Sequence, residues 1–116
     1  MIAVIFEVEP ASGRRNDYLA IAGGLRPMLD GMDGFISIER FQSLSDPDRI
    51  LSLSFWRDEE AVKAWRTTEE HRQAQVAGRG GIFEGYRLRI AHVVRDYGLD
   101  ERREQAPADS RAAHGA

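Results

Sequence analysis

Apolar and polar positions along the chain divide it into six elements. Ile2 to Glu9 is dense in β-branched and aromatic residues and runs into Pro10, which predicts a strand and its end. Tyr18, Ile21, Ala22, Leu25, Met28 and Leu29 then recur at helical spacing, and Ser12 stands where a helix cap is expected. Gly23, Gly24 and Pro27 interrupt that stripe and predict a kink or a restart. Asp30-Gly31 and Asp33-Gly34 carry turn chemistry. Phe35–Leu44 and Ile50–Trp56 read as two strands around the turn Ser45-Asp46-Pro47-Asp48. In the first, Ile36, Ile38 and Arg40 are expected on one face and Phe35, Ser37, Glu39 and Phe41 on the other. In the second, Leu51, Leu53 and Phe55 oppose Ser52, Ser54 and Trp56.

Asp58 is a good cap, and Glu59 and Glu60 favour the positive end of the helix it opens, with Ala61, Val62 and Trp65 inward. Thr67 and Glu70 have capping-box spacing, which predicts a break and a second short helix to about Ala77, ended by Gly78. After Gly80-Gly81, Phe83 to Arg95 reads as the last strand. Leu88, Ile90, His92 and Val94 share one of its faces; Arg87, Arg89, Ala91, Val93 and Arg95 share the other.

The order strand, helix, strand, strand, helix, strand is the ferredoxin-like βαββαβ pattern of the α+β class. It is a four-stranded antiparallel sheet with both helices on one face. The strands nevertheless carry apolar residues on both sides, and a bare apolar face would be a large exposed patch. An obligate homodimer with a barrel-like centre is therefore expected, two sheets closing face to face. Residues 1–97 form the expected domain. The remainder, 98–116, is a polar C-terminal tail, either disordered or packed on the dimer mate.

Composition narrows the function classes. The 116 residues are 42% hydrophobic and 30% charged with a net charge of −3, which suits one soluble domain and disfavours nucleic acid as a partner. No apolar run approaches a membrane span, and MIAVIFEVEP lacks the basic leader of a signal peptide, so a cytoplasmic location is expected. The absence of cysteine excludes a disulfide scaffold, a thiol nucleophile and thiolate metal sites. Histidines at 71, 92 and 114 show no metal-ligand spacing, so no metal is expected. Gly78, Gly80 and Gly81 are not followed by the Lys-Ser/Thr of a phosphate loop.

The runs Gly34-Phe35-Ile36-Ser37-Ile38-Glu39-Arg40-Phe41 and Leu51-Ser52-Leu53-Ser54-Phe55-Trp56-Arg57-Asp58-Glu59-Glu60-Ala61-Val62, then Trp65 and Glu70-His71-Arg72, resemble the antibiotic biosynthesis monooxygenase family. The resemblance covers roughly residues 1–97 and implies a dimeric α/β barrel. It further implies a cofactor-independent oxygenase acting on a small aromatic or quinol-type molecule in a pocket between helices and sheet. A haem-degrading branch of the family places an iron-ligating His where this chain has Gln75, and an Asn on the first strand where it has Glu7. Gln is a poor axial ligand, so haem chemistry is disfavoured.

Several residues carry the candidate chemistry. His92 alternates with Leu88, Ile90 and Val94; burial there would keep its ring neutral, as a general base requires, or make it a core or interface histidine. His71 could hold or deprotonate a substrate, or be exposed or capping. Trp65, Phe83 and Trp56 could wall an aromatic substrate, and Trp65 could equally anchor its helix on the sheet. Arg40 or Tyr86 could donate to a developing oxyanion. Glu7 or Glu39 could pair with Arg40 to orient a polar ligand or as a structural ion pair. Ser52 and Ser54 read as small packing residues, since no nucleophile elbow surrounds them. The reading from another class is a non-catalytic dimeric module that binds a small hydrophobic metabolite.

Overall fold

A computed structural model describes residues 1–68 and 78–109. Strand β1 (Ile2–Pro10) leads through helices α1 (Arg15–Gly24) and α2 (Arg26–Asp30) to the hairpin β2 (Phe35–Gln42) and β3 (Ile50–Trp56). Helix α3 (Glu59–Arg66) and, beyond residue 77, a wide helical turn over Gly78–Ile82 precede β4 (Phe83–His92). The four strands form one antiparallel sheet in the order β2-β3-β1-β4, with the helices on one face. This is the expected ferredoxin-like α+β architecture.

Local chemistry accounts for most boundaries. The Asp58 carboxylate accepts from the amide of Ala61 at 2.9 Å and Glu59 and Glu60 follow it, so α3 starts where an acidic cap can satisfy its free amides. It stops at Arg66, where the Thr67 and Thr68 hydroxyls donate back to the carbonyls of Ala64 and Trp65. The break after Thr67 is therefore present; the proposed cap residue Glu70, the short helix to Ala77, His71, Gln75 and His114 lie outside the described residues. Between α1 and α2 the chain restarts as expected, with Pro27 in a first turn where its missing amide costs nothing.

Three expectations need correction. Ser12 does not cap α1: Gly13 (φ +77°) turns the chain, and Arg14, with no side-chain cap bond, precedes the helix. Strand β2 ends at Gln42 because Ser43 and Asp46 build a wider turn, Ser43 Oγ accepting from the amides of Ser45 and Asp46. Strand β4 likewise stops at His92, short of Arg95. Past it, Gln105 accepts from the amide of Asp96, and residues Arg103–Gln105 form a 3-10 turn with Ala106 buried. The described part of the tail thus folds back on the end of its own domain.

The register sorts the sheet into four rows on the helix-covered face, each read from β2 to β4. They are Gln42–Ile50–Val8–Tyr86, Arg40–Ser52–Phe6–Leu88, Ile38–Ser54–Val4–Ile90 and Phe35–Trp56–Ile2–His92. Phe35 belongs to this face, contrary to simple alternation, because the pairing slips between Phe35 and Ser37. Its ring meets Trp56 edge-on at 5.2 Å, leaving Ile36 exposed. Two cores cover the end rows. Tyr18, Ala22 and Ile82 pack on Val8 and Ile50; Leu29, Ala61 and Val62 pack on Ile2 and Trp56, with Trp65 against them.

The opposite face carries no helix. Ala3, Ile5, Leu51, Leu53, Phe55 and Phe41 form its apolar centre, beside Glu7, Glu39, Arg87 and Arg89. Phe41 is 44% exposed.

Candidate functional site

Between the two cores the sheet presents its middle rows. Ser52 and Ser54 are the residues of β3 there, so the centre of the layer is filled by small hydroxyl-bearing side chains. Large apolar side chains occupy its β4 side: Leu88 is 51% and Ile90 43% exposed. The result is an apolar trough with polar groups along its β2 and β3 flank.

Four aromatic rings line one end. Tyr18 meets Phe83 edge-on (centroids 5.7 Å), as Phe83 does Phe6 (5.9 Å) and Tyr86 (6.3 Å), while Phe6 and Tyr86 are tilted against each other (5.6 Å). The series runs from buried Tyr18 to Tyr86, which is 63% exposed. Burial pushes the Tyr18 hydroxyl up from its ordinary value, while the charge and hydrogen bonding of the neighbouring Arg40 guanidinium pull it down. Burial wins, so Tyr18 is a neutral hydrogen-bond donor at physiological pH.

Arg40 is the unusual group. Its Nε is buried with no hydrogen-bond partner, and none of the ion pairs among the described residues includes it. The expected pairing with Glu7 or Glu39 does not form, because both acids stand on the opposite face. Glu7 pairs there with Arg89 at 3.1 Å, and Glu9 with Arg49 at 2.7 Å. Glu7 therefore does not line the trough. It borders a separate depression of about 210 Å³ on the helix-free side, with Glu9, Arg49 and Arg87.

Of the residues singled out from sequence, the fold brings Arg40 and Phe83 beside Tyr18, and Tyr86 follows Phe83 at the β4 edge of the sheet. Trp56 is a correction: at 2% exposure, with its indole N–H donating to Ser54 Oγ, it is a core residue that walls nothing. Trp65 packs on the same core. His92 lies on the predicted face, opposite Ile2, but it is exposed, since β4 is a sheet edge that the cores leave open. The expectation of a buried His92 fails for that reason. Sequence reading missed Tyr18 and Phe6; the available signal was a hydroxyl tip inside the otherwise apolar stripe of α1. Among the described residues, no group of three or more His, Asp or Glu could hold a metal. No helix there is long and apolar enough to cross a membrane.

Comparison with known proteins agrees with this fold. Solved structures share the fold at low identity. A candidate antibiotic biosynthesis monooxygenase from Deinococcus radiodurans superposes with a TM-score of 0.77 over 85% of this chain and 98% of its own, at 12% identity. A Mycobacterium tuberculosis protein gives 0.76 over 84% and 98%, at 13%. In sequence, the chain is 47% identical over 111 residues to the jasmonate monooxygenase of Pyricularia oryzae, across 96% of this chain and 52% of that protein. It is 35% identical over 63 residues to an uncharacterised Bacillus subtilis protein, covering 53% of each. The chain thus spans about half the length of these curated relatives. The model of the family described as antibiotic biosynthesis monooxygenase matches residues 1–77, which hold β1, the hairpin, α3 and the Arg40–Tyr18 corner of the trough. This chain belongs to the antibiotic biosynthesis monooxygenase family.

Proposed function

We propose that the chain is a cofactor-independent monooxygenase that oxidises a small hydrophobic substrate in the trough between the helices and the sheet. The observation that carries this reading is the 47% identity, across nearly the whole chain, to a protein named as a jasmonate monooxygenase. The trough adds chemical support: an apolar bed with donors at both ends, Arg40 and Tyr18 at the buried end and Tyr86 at the open one. Fixed donors of this kind are what a developing oxyanion requires.

The chemistry balances without an added reductant when the substrate carries an activated methylene. A base removes one proton, and the resulting carbanion-like anion passes an electron to O₂. One oxygen atom ends in a carbonyl and the other leaves as water. His92, at the open edge of the sheet, and His71 are the candidate bases. Trp65, packed beside the trough, and Phe83 restrict what enters.

A homodimer is part of the proposal. The helix-free face has an apolar centre of Ile5, Leu51, Leu53, Phe55 and Phe41 flanked by charges, a composition suited to closure on a second copy.

Oxygen uptake by the purified chain tests the function, with jasmonate and a panel of phenolic and quinol-type compounds offered without added flavin or metal. Uptake matching substrate loss, reduced in His92→Ala or His71→Ala, is the expected result. Saturable binding of the same compounds with no uptake makes the chain a binding module instead.

A further inference from the structure

Among the described residues, the sheet face that carries Arg40 presents no negative charge and no ion pair includes Arg40. Across the helix-covered face the sheet presents Gln42, Arg40, two serines and His92 as its polar residues; Glu7, Glu9 and Glu39 all stand on the reverse. On α1, Asp17 is already paired with Arg14; on α2, Asp30 is paired with Arg26. A guanidinium with a buried N–H and no acceptor is destabilising, and protein interiors rarely leave such a group unmatched. The groups beside it are neutral hydroxyls and carry no compensating charge. Tyr18 is held neutral beside it, and the buried Ser52 is its cross-strand partner.

We propose that Arg40, Tyr18 and Ser52 form the anchor for a substrate carboxylate, so that the oxidised molecule is a small hydrophobic acid. A planar guanidinium offers a carboxylate parallel N–H donors, and the two hydroxyls complete its hydrogen bonding. Arg15 of α1 and Arg26 of α2 also reach this face, but they are bonded to Gln42 and to Asp30 and the Ile38 carbonyl, so Arg40 is left as one cation for a single negative charge rather than a phosphate dianion. From this corner the rings of Tyr18, Phe83, Phe6 and Tyr86, then Leu88 and Ile90, supply a continuous apolar bed for the rest of the molecule. The inference deepens the proposed oxygenase reading and assigns Arg40 to holding the substrate, leaving Tyr86 as the donor near the reacting end.

Calorimetric titration of the full chain with cyclohexylacetic acid and with cyclohexylacetamide separates charge from shape. The acid is expected to bind about 10- to 100-fold more tightly than the amide. In Arg40→Gln that preference collapses toward unity, and Tyr18→Phe weakens the acid several-fold. Unliganded Arg40→Met is expected to melt at or above the wild-type temperature, since it removes the buried, unpartnered Nε–H. That gain is the opposite of what a purely structural arginine would show. Equal affinity of the wild-type chain for acid and amide overturns the assignment, whatever the variants do. So does an undiminished acid preference in folded Arg40→Gln. Acid-selective binding without oxygen uptake would defeat only the oxygenase reading. Oxygen uptake on neutral compounds, with no preference for acids, would defeat only the anchor.

Discussion

The indole N–H of Trp56 donates to the hydroxyl of Ser54 at 2.9 Å, two residues back along the same strand and on the same buried face. The serine removes what would otherwise be an unsatisfied polar group under α3, and its small size leaves the middle of the layer open. Ser54→Ala should cost about 1–3 kcal/mol of stability, because the indole then has neither water nor a protein acceptor. A urea titration that returns an unchanged midpoint would show that the bond contributes nothing.

Gly34 joins α2 to β2 with φ at +86°, and a Cβ built there would stand 2.6 Å from the Cβ of Ala61. Its carbonyl also accepts from the amide of Arg57 at 2.7 Å, so the turn is pinned from both sides. Gly34→Ala combines a strained backbone with a collision against α3 and should lower stability by roughly 2 kcal/mol or more. Adding Ala61→Gly should recover the collision but not the backbone strain. Full recovery in thermal melts of the double variant would assign the whole effect to packing.

Asp58 accepts from the Ala61 amide and lies beside Arg57, and these two contacts hold its carboxyl below the usual range. A lowered carboxyl stabilises the fold above the unfolded value and loses that contribution as pH falls through the folded one. The relevant window opens at about pH 4 and extends downward. Asn at this position still caps but does not titrate. Asp58→Asn should keep much of its melting temperature at neutral pH and show a shallower loss below about pH 4 than wild type. Parallel acid melting curves would remove Asp58 from the account.

Leu53 sits in the centre of the helix-free face, opposite Ile5 on β1 and Glu39 on β2. A charge at this point would have to be desolvated if two sheets close on each other. Leu53→Asp is expected to convert a dimer to a monomer in sedimentation while helix content is retained. A wild-type chain that sediments as a monomer at micromolar concentration would refute the dimer.

Much of the local structure was legible because it depends on neighbours in the chain. Asp58 followed by two glutamates is a helix start wherever it occurs, and the Gly23-Gly24-Pro27 interruption cannot continue as one helix. The hairpin followed the same logic, since β-branched and aromatic runs on either side of Asp-Pro-Asp pair locally. The trough was less accessible. Phe35 changed faces where its pairing with β3 slips, and its ring then meets Trp56, a residue across the strand pair. His92 was assigned the correct face and the wrong environment, because alternation reports direction and only the strand order reports what lies above it.

The sequence alone determined the element order, the caps and breaks, the apolar character of both sheet faces and the family resemblance, since each is written in spacings of a few residues. Tertiary structure decided that Arg40 has no acid on its face and that Tyr18 stands beside it. It likewise decided that Glu7 belongs to Arg89 and that Trp56 is sealed in the core. Those outcomes depend on register and strand order, which set distances between residues far apart along the chain. A charge can be counted from the sequence, but its partner is chosen only when the sheet assembles.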